Sequence, residues 1–516
     1  MQGIDFPVLT PLIFLPALAC VILFFIRGER VVRIFTLAVL ILELLFALPL
    51  LRFRLNTPDF QFVERITWVK EWGLEYYVGI DGIGILMVGL TLIIFPLCVL
   101  CSWSSITARV KEFHFCILFL CSACVGLFSA LDFLLFYLFW EATLIPMYLI
   151  IAVWGGSDRH YASLKFIIYT LAGSALLLVG IIAFRIVGGT FSIPDLMRGD
   201  FPFGFQVWTF LVMAFAFAVK VPMFPFHTWL PDAYTEAPVA GSVVLAAVLA
   251  KMGAFGFLRI CLPLAPQASQ YLAPMMIALS IASVLYCGMV ALGQANIKKI
   301  IAYSSVAHMG FVTLGIFLFN LRGCQGALFQ MVSHGITTGA LFMMAGALYE
   351  RSGDYEVKQN LGLGKYLPAF MGLWGLMAFA GFAFPGTNNF VGEFLVLVGA
   401  FEKNIWVGAL VIPGALLAAA YMLRPTQKMA WGGPSSVKGW DDLKIREWSY
   451  LLPLAFLVLY IGLAPGLLFK VMNPTLENLL AEFKTRSPVA EPFFGPRPET
   501  SVLSDKAARI KERQEP

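Results

Sequence analysis

Residues 220–256 read KVPMFPFHTWLPDAYTEAPVAGSVVLAAVLAKMGAFG, and this stretch decides the fold. Lys220 and Lys251 each sit in an apolar run long enough to lie in a bilayer. A charged side chain near the bilayer centre costs about 2.5–3.5 kcal/mol on insertion scales, so an intramembrane lysine marks a candidate functional position. Pro222 and Pro225 remove two backbone donors, which takes the usual helical partners from the carbonyls of Ala218 and Val221. Irregular backbone at membrane depth is tolerated where it lines a cavity or is buried in protein. The stretch therefore predicts a helix broken beside a buried lysine. The remainder of the chain reads as the housing for two ammonium groups.

Composition agrees. The 516 residues are 59% hydrophobic and 13% charged, and the mean hydropathy is +0.82. Soluble domains run about 45–50% apolar and about 25% charged. The fold class is an all-α polytopic membrane protein. The net charge of +5 is small and most basic residues fall in loops, as topology signals and not as a nucleic-acid surface. The opening MQGIDFPVLTPLIF carries an acid where a secretory signal needs lysine or arginine, so the first apolar run is expected as a retained helix. No stretch is large and polar enough for a nucleotide-binding domain, and no GxGxxG or P-loop pattern occurs in a strand–turn–helix setting. The two CxxC pairs, Cys98/Cys101 and Cys121/Cys124, have a spacing a metal site could use but lie in or beside apolar runs. There, i,i+3 spacing puts both thiols on one helix face, and helix packing is the expected role, with no metal.

A span needs about 20 apolar residues, which yields about fourteen segments: 9–26, 31–51, 80–103, 113–130, 132–153, 164–187, 207–228, 240–262, 271–293, 299–319, 326–349, 370–404, 407–429 and 450–472. The twelfth is long because PGTNN (385–389) interrupts it, as two half-helices would require. Loops with Arg27, Arg30 and Arg33, with Arg109 and Lys111, with Arg159 and Lys165, with Lys298 and Lys299, and from Arg424 to Arg446 share one side. That side is expected to be cytoplasmic or matrix, with both termini outside. The acidic loop of Asp232 and Glu236 runs against this rule, as does the basic loop of Arg52 and Arg54.

Breaks at Pro222 and Pro385 lie five spans apart. A unit with an odd number of spans enters the membrane upside down on its second occurrence, so two inverted five-helix repeats are expected, with helices 7 and 12 broken. The expected organisation is 1–112 for helices 1–3, 113–262 for the first repeat and 263–429 for the second. A loop and helix 14 would occupy 430–475, and a polar tail 476–516.

Six titratable residues populate most spans from the fifth to the twelfth. Glu141 lies in LLFYLFWEATLIPMYLI, with Pro146 loosening the helix one turn on, and is the expected counter-charge to Lys220. Lys251 precedes Gly253 and Gly256, which permit close helix approach. His308 and His334 sit among Ser304, Ser305, Gln330, Ser333, Thr337 and Thr338, a setting for a hydrated relay without metal-ligand spacing. Glu393 follows the second break, where it mirrors Lys220 with the opposite charge. Glu43 is intramembrane but lacks polar neighbours in sequence, which suits packing or an interhelix hydrogen bond. A line of such groups through a bundle suits a proton path better than a substrate pocket.

These motifs, with GIDGIGILMVGLT (79–91), FYLFWEATLIPMYLI (137–151) and FPGTNNFVGEFLVLVGAF (384–401), resemble the antiporter-like membrane subunits of respiratory complex I and of Mrp-type cation/proton antiporters. The resemblance covers about 80–480. It implies fourteen helices, a Glu141–Lys220 coupling pair, Lys251 as middle relay, the two histidines next, and Glu393 facing the outer exit. Glu393 is the distinguishing residue, because other antiporter-like subunits of chain L and chain N type carry lysine in that helix. Tyr234 departs from the histidine of many relatives, which removes support for a proton-input role there. The implied function is NADH:quinone-linked proton pumping in a bacterial cytoplasmic or mitochondrial inner membrane. Its partners would be L- and N-type chains, adjacent small subunits and lipid, with no nucleic acid. NAD, FMN, iron–sulfur clusters and quinone would be held elsewhere in the complex, with no cofactor in this chain. The alternatives are an Mrp-type Na⁺/H⁺ antiporter subunit, a conformational spacer and a hydrogenase-type membrane arm.

Overall fold

The structure, a computed structural model, describes residues 7–433, 437 and 439–487. The acidic start of the chain and the tail beyond residue 487 lie outside the described residues. In chain order come α1 (Leu9–Leu23) and α2 (Glu29–Phe46), then a hairpin of β1 (Gln61–Val69) and β2 (Leu74–Ile80). There follow α3 (Gly82–Cys101), α4 (Val110–Ser129), α5 (Phe133–Trp154), α6 (Arg159–Gly188) and α7 (Phe203–Lys220). A short α8 (Trp229–Glu236) leads into α9 (Val239–Leu264), α10 (Pro266–Leu292), α11 (Ile297–Phe317) and α12 (Leu321–Ser352). The chain then forms α13 (Pro368–Gly381), α14 (Asn388–Lys403), α15 (Ile405–Trp431), α16 (Ile445–Leu463) and α17 (Gly466–Arg486).

Several helices begin at an Asp or Asn whose side chain accepts from the first free N–H groups: Asp81, Asp132, Asn296, Asn320 and Asn404. Such caps satisfy donors that have no partner within the helix. Gly189 and Gly353, both at positive φ, close α6 and α12.

Among the described residues, 12 helices are long and apolar enough to span a membrane, and α1 and α13 are shorter apolar helices. Both expected breaks are present. The seventh span stops at Lys220, and the twelfth is split between α13 and α14. At the first break Met223 N donates to the Ala218 carbonyl at 2.8 Å and the Trp229 indole to that of Val219 at 3.0 Å. Of the two carbonyls released by the prolines, that of Ala218 thus finds a partner inside the protein. At the second, Ala383 and Gly386 turn the chain at positive φ.

Two features were not expected from the sequence. Residues 61–80 form an antiparallel hairpin. The last apolar span, expected at 450–472, ends at Leu463, and α17 runs on to Arg486, past the boundary expected at 476. Pro465 disfavours helical geometry at Ala464 before it, which ends α16. Leu476, Leu479, Leu480 and Phe483 then give α17 a buried face at i, i+3, i+4 and i+7.

The bundle has a centre and a rim. α9 and α12 are buried along their whole apolar windows and α11 along 94% of its window, against 28% for α2 and 33% for α15. The basic loops gather at one end, where Arg351 pairs with Glu447 at 2.6 Å and Lys165 with Asp232 at 2.7 Å. Lys298 there donates to the carbonyls of Thr235 and Ala237 at 3.0 and 2.6 Å. The acidic Asp232–Glu236 segment, an exception in the sequence, is thus held by lysines of the basic loops. The hairpin and α17 occupy the opposite end.

Candidate functional site

The three most buried helices carry Lys251 (α9), His308 (α11) and His334 (α12), and glycines bring them together. A Cβ at Gly335 would lie 2.9 Å from the Ala247 carbonyl, so α12 meets the backbone of α9 one turn before Lys251. Gly326 and Gly392 make the same close approach between α12 and α14, which carries Glu393 to α12. Gly253 lies against the Phe217 carbonyl and Val221, seating α9 on the broken end of α7.

The resulting contacts form a chain. Lys251 Nζ lies 2.6 Å from His334 Nδ1 and also donates to the Ala246 carbonyl. The rings of His334 and His308 are 5.6 Å apart, centroid to centroid. His308 Nδ1 lies 2.5 Å from Glu393 Oε1, and Gln330 Nε2 donates to the same oxygen at 3.0 Å. An ammonium group offers only donors, so when Lys251 is charged its bond to His334 places the accepting lone pair on Nδ1 and the ring proton on Nε2. Among the described residues, that Nε2 is buried without a partner, as are Ser333 Oγ, Gln330 Oε1 and both amide atoms of Asn389. Buried polar atoms of this kind are the ones that ordered water satisfies.

The Glu141–Lys220 end is arranged differently. Lys220, the last residue of α7, lies over the Trp140 ring at 5.1 Å and donates to Thr143 Oγ1 at 3.3 Å. Among the described residues no ion pair joins it to Glu141, whose Oε1 is without a hydrogen-bond partner. Thr143 is the residue in contact, because α5 has a local irregularity there and its hydroxyl turns back to the Trp140 carbonyl at 2.8 Å. Four of the six residues singled out in the sequence thus form one connected array. The other two are neighbours without direct contact.

Sequence reasoning missed Tyr421, fully buried on α15 with its hydroxyl 3.3 Å from His308 Nε2. A lone tyrosine in an apolar span was the available signal. It also missed Thr143, the Arg259–Asp81 pair and the burial of Lys298. Glu43 does have a polar neighbour, the Cys121 thiol at 3.4 Å. Cys98, Cys101, Cys121 and Cys124 are all buried. Among the described residues no group of three or more His, Cys, Asp or Glu is placed to hold a metal ion.

Residues 130–418, over half the chain, match the family described as NADH:quinone oxidoreductase/Mrp antiporter, transmembrane. The chain belongs to this family of antiporter-like, multi-pass membrane proteins. Within it, the chain is similar to NADH-quinone oxidoreductase subunit M of Rhodobacter capsulatus, 44% identical over 83% of this chain and 86% of that one. It is 40% identical to subunit M of Rickettsia bellii over 93% of this chain and 100% of that one. Among solved structures, a chain of respiratory complex I from Thermus thermophilus superimposes with a TM-score of 0.85 at 29% identity, covering 92% of this chain and 99% of that one. A chain of the Mrp complex from Dietzia sp. shares the fold, with a TM-score of 0.83 at 20% identity over 93% and 100% of the two chains.

Proposed function

We propose that this chain is a proton-translocating membrane-arm subunit of an NADH:quinone oxidoreductase, coupling electron transfer in partner subunits to proton movement through its own buried residues. The observation that carries the reading is the array in the most buried part of the bundle, in which Lys251 meets His334, the His334 and His308 rings lie 5.6 Å apart, and His308 meets Glu393. The similarity to subunit M proteins supports it over most of the chain. The redox groups (NAD, FMN, iron–sulfur clusters and quinone) belong to other subunits, and L- and N-type chains are the expected neighbours.

In this reading Lys220 and Lys251 exchange a proton across the contact between α7 and α9. Lys251 passes it to His334 Nδ1, and the imidazole releases its other proton from Nε2 toward His308. His308 delivers a proton to Glu393, beside the second break. Glu141 biases the first step: moved toward Lys220 it holds the ammonium form, and moved away it releases it. The contact of Lys220 with Thr143 and not with Glu141 supports this reading.

The test uses inverted membrane vesicles carrying Glu141→Gln beside wild type. Proton uptake driven by NADH, NADH:quinone activity and NADH oxidation by an artificial acceptor are followed together. The first two are expected to fall while the third persists. If all three match wild type and Na⁺/H⁺ exchange is lost instead, the chain works as an antiporter subunit.

A further inference from the structure

α9 carries a second cation that the proton path does not use. Arg259 lies eight residues beyond Lys251, about 12 Å toward the hairpin end at about 1.5 Å per residue. Its guanidinium is 5% exposed and pairs with the Asp81 carboxylate, which is 2% exposed. Two rings flank it, Phe60 at 4.9 Å and Phe255 at 5.3 Å. Phe255 packs edge-on against Phe128 at 5.2 Å and stacks on Phe136 at 6.5 Å, which fills the space between α9, α4 and α5. α17 closes the other side. Gly82 N donates to Thr475 Oγ1 at 3.0 Å, and a Cβ at Gly82 would collide with the Val471 carbonyl.

A buried ion pair adds little net stability over a well-packed apolar pair, so stability alone does not account for it. The chemistry of the two cations on α9 does. A lysine can give up its proton when desolvated, whereas arginine stays charged under all conditions in a protein. A proton that reaches Lys251 can leave it again. Arg259 cannot accept one, and a fixed cation opposes the approach of another positive charge. Asp81 is held in place as the partner of Arg259, since the oxygen that meets the guanidinium also accepts from the N–H groups of Ile83 and Gly84 at 3.1 and 2.9 Å.

We propose that Arg259, Asp81, Phe60 and Phe255 form a proton seal at the hairpin end of α9, so that a proton on Lys251 leaves only through His334. The seal determines direction. It turns the first half of the chain into a blind branch and makes Glu393 the single outlet. It rests on the proton-translocating reading above.

The test is Arg259→Lys in the purified complex, reconstituted into proteoliposomes. Lysine keeps the charge facing Asp81 but restores a proton that can be released. Passive collapse of an imposed pH gradient, without NADH, is expected to run severalfold faster than in wild type. Protons translocated per NADH should fall while quinone reduction persists. An assembled Arg259→Lys complex with wild-type leak and stoichiometry overturns the seal. Should that variant fail to assemble, Arg259→Gln, which removes the cation but keeps a donor for Asp81, is read the same way. The leak measurement needs no NADH. Wild-type liposomes that hold protons but show no NADH-driven uptake would therefore count against the proposed function and, with it, the seal, whereas a wild-type leak in the variant beside normal wild-type uptake counts against the seal alone.

Discussion

His308 is the residue on which the array turns, because each of its ring nitrogens has a different partner. Nδ1 meets Glu393 at 2.5 Å and Nε2 faces the Tyr421 hydroxyl at 3.3 Å. Replacing it with asparagine leaves the Glu393 carboxylate with Gln330 and a misaligned amide. A buried polar group deprived of a partner costs about 1–3 kcal/mol. His308→Asn is expected to lower NADH-driven proton uptake in inverted vesicles while oxidation by an artificial acceptor is retained. Unchanged uptake would mean that Glu393 is supplied by another route. Much of this was readable from residue type alone, since Lys251, His308, His334 and Glu393 all announced themselves as charges or imidazoles in apolar runs. Tyr421 and Thr143 did not stand out, because a hydroxyl in a span is inexpensive and is a weak signal until its neighbour is known. Nor did the missing Glu141–Lys220 contact, which depends on where α5 is interrupted.

At the scale of elements, glycine contacts set the distances between helices and hence the reach of each proposed proton carrier. Gly392 is the sharpest case, with Gln330 Oε1 2.6 Å and the Gln330 Cα 3.0 Å from where its Cβ would stand. Gly392→Leu should push α14 away from α12 and draw Glu393 out of reach of His308. Overpacking of this kind typically costs about 1–3 kcal/mol. The expected signature is a lower thermal midpoint of the assembled complex together with lost proton uptake. A variant that lowers the midpoint but pumps normally would show that the α12–α14 spacing does not control the last transfer. Both broken helices were legible beforehand, because proline and the PGTNN run act on the backbone directly. The hairpin was not. QFVERITWV and LEYYVGI alternate only weakly, with irregular register between Gln61 and Glu64 and between Thr67 and Val69. The hairpin is also tied to the helix ends beneath, as by the Glu75 N–H bond to Asp132.

Over the whole molecule, α17 ties distant parts of the hairpin end together. Arg486 donates to the carbonyls of Met197, Gly199 and Pro263, Phe483 stacks on Phe319 at 4.4 Å, and Asn473 accepts from Gln325 at 2.9 Å. Hydrogen bonds from a charged donor are worth about 1.5–3 kcal/mol, so Arg486→Ala should raise amide exchange across 466–486 by about tenfold or more. Exchange unchanged in that segment would place the anchor in the aromatic contacts instead. In the sequence, residues from 476 onward look like a polar tail, because the buried face of α17 is interleaved with Glu477, Glu482, Lys484 and Arg486. The burial of α12 has a further consequence, for the making of the protein. This helix is 32 residues long with a hydropathy of only 1.3, and it holds His334, Gln330 and a series of hydroxyl groups inside its span. Alone in lipid it would present those groups to hydrocarbon, so it partitions poorly as a single segment. During synthesis α12 must therefore remain at the insertion machinery until α9, α11 and α14 can enclose it. The interior proposed to conduct protons is thus also a part of the chain whose release into the bilayer waits on helices made after it.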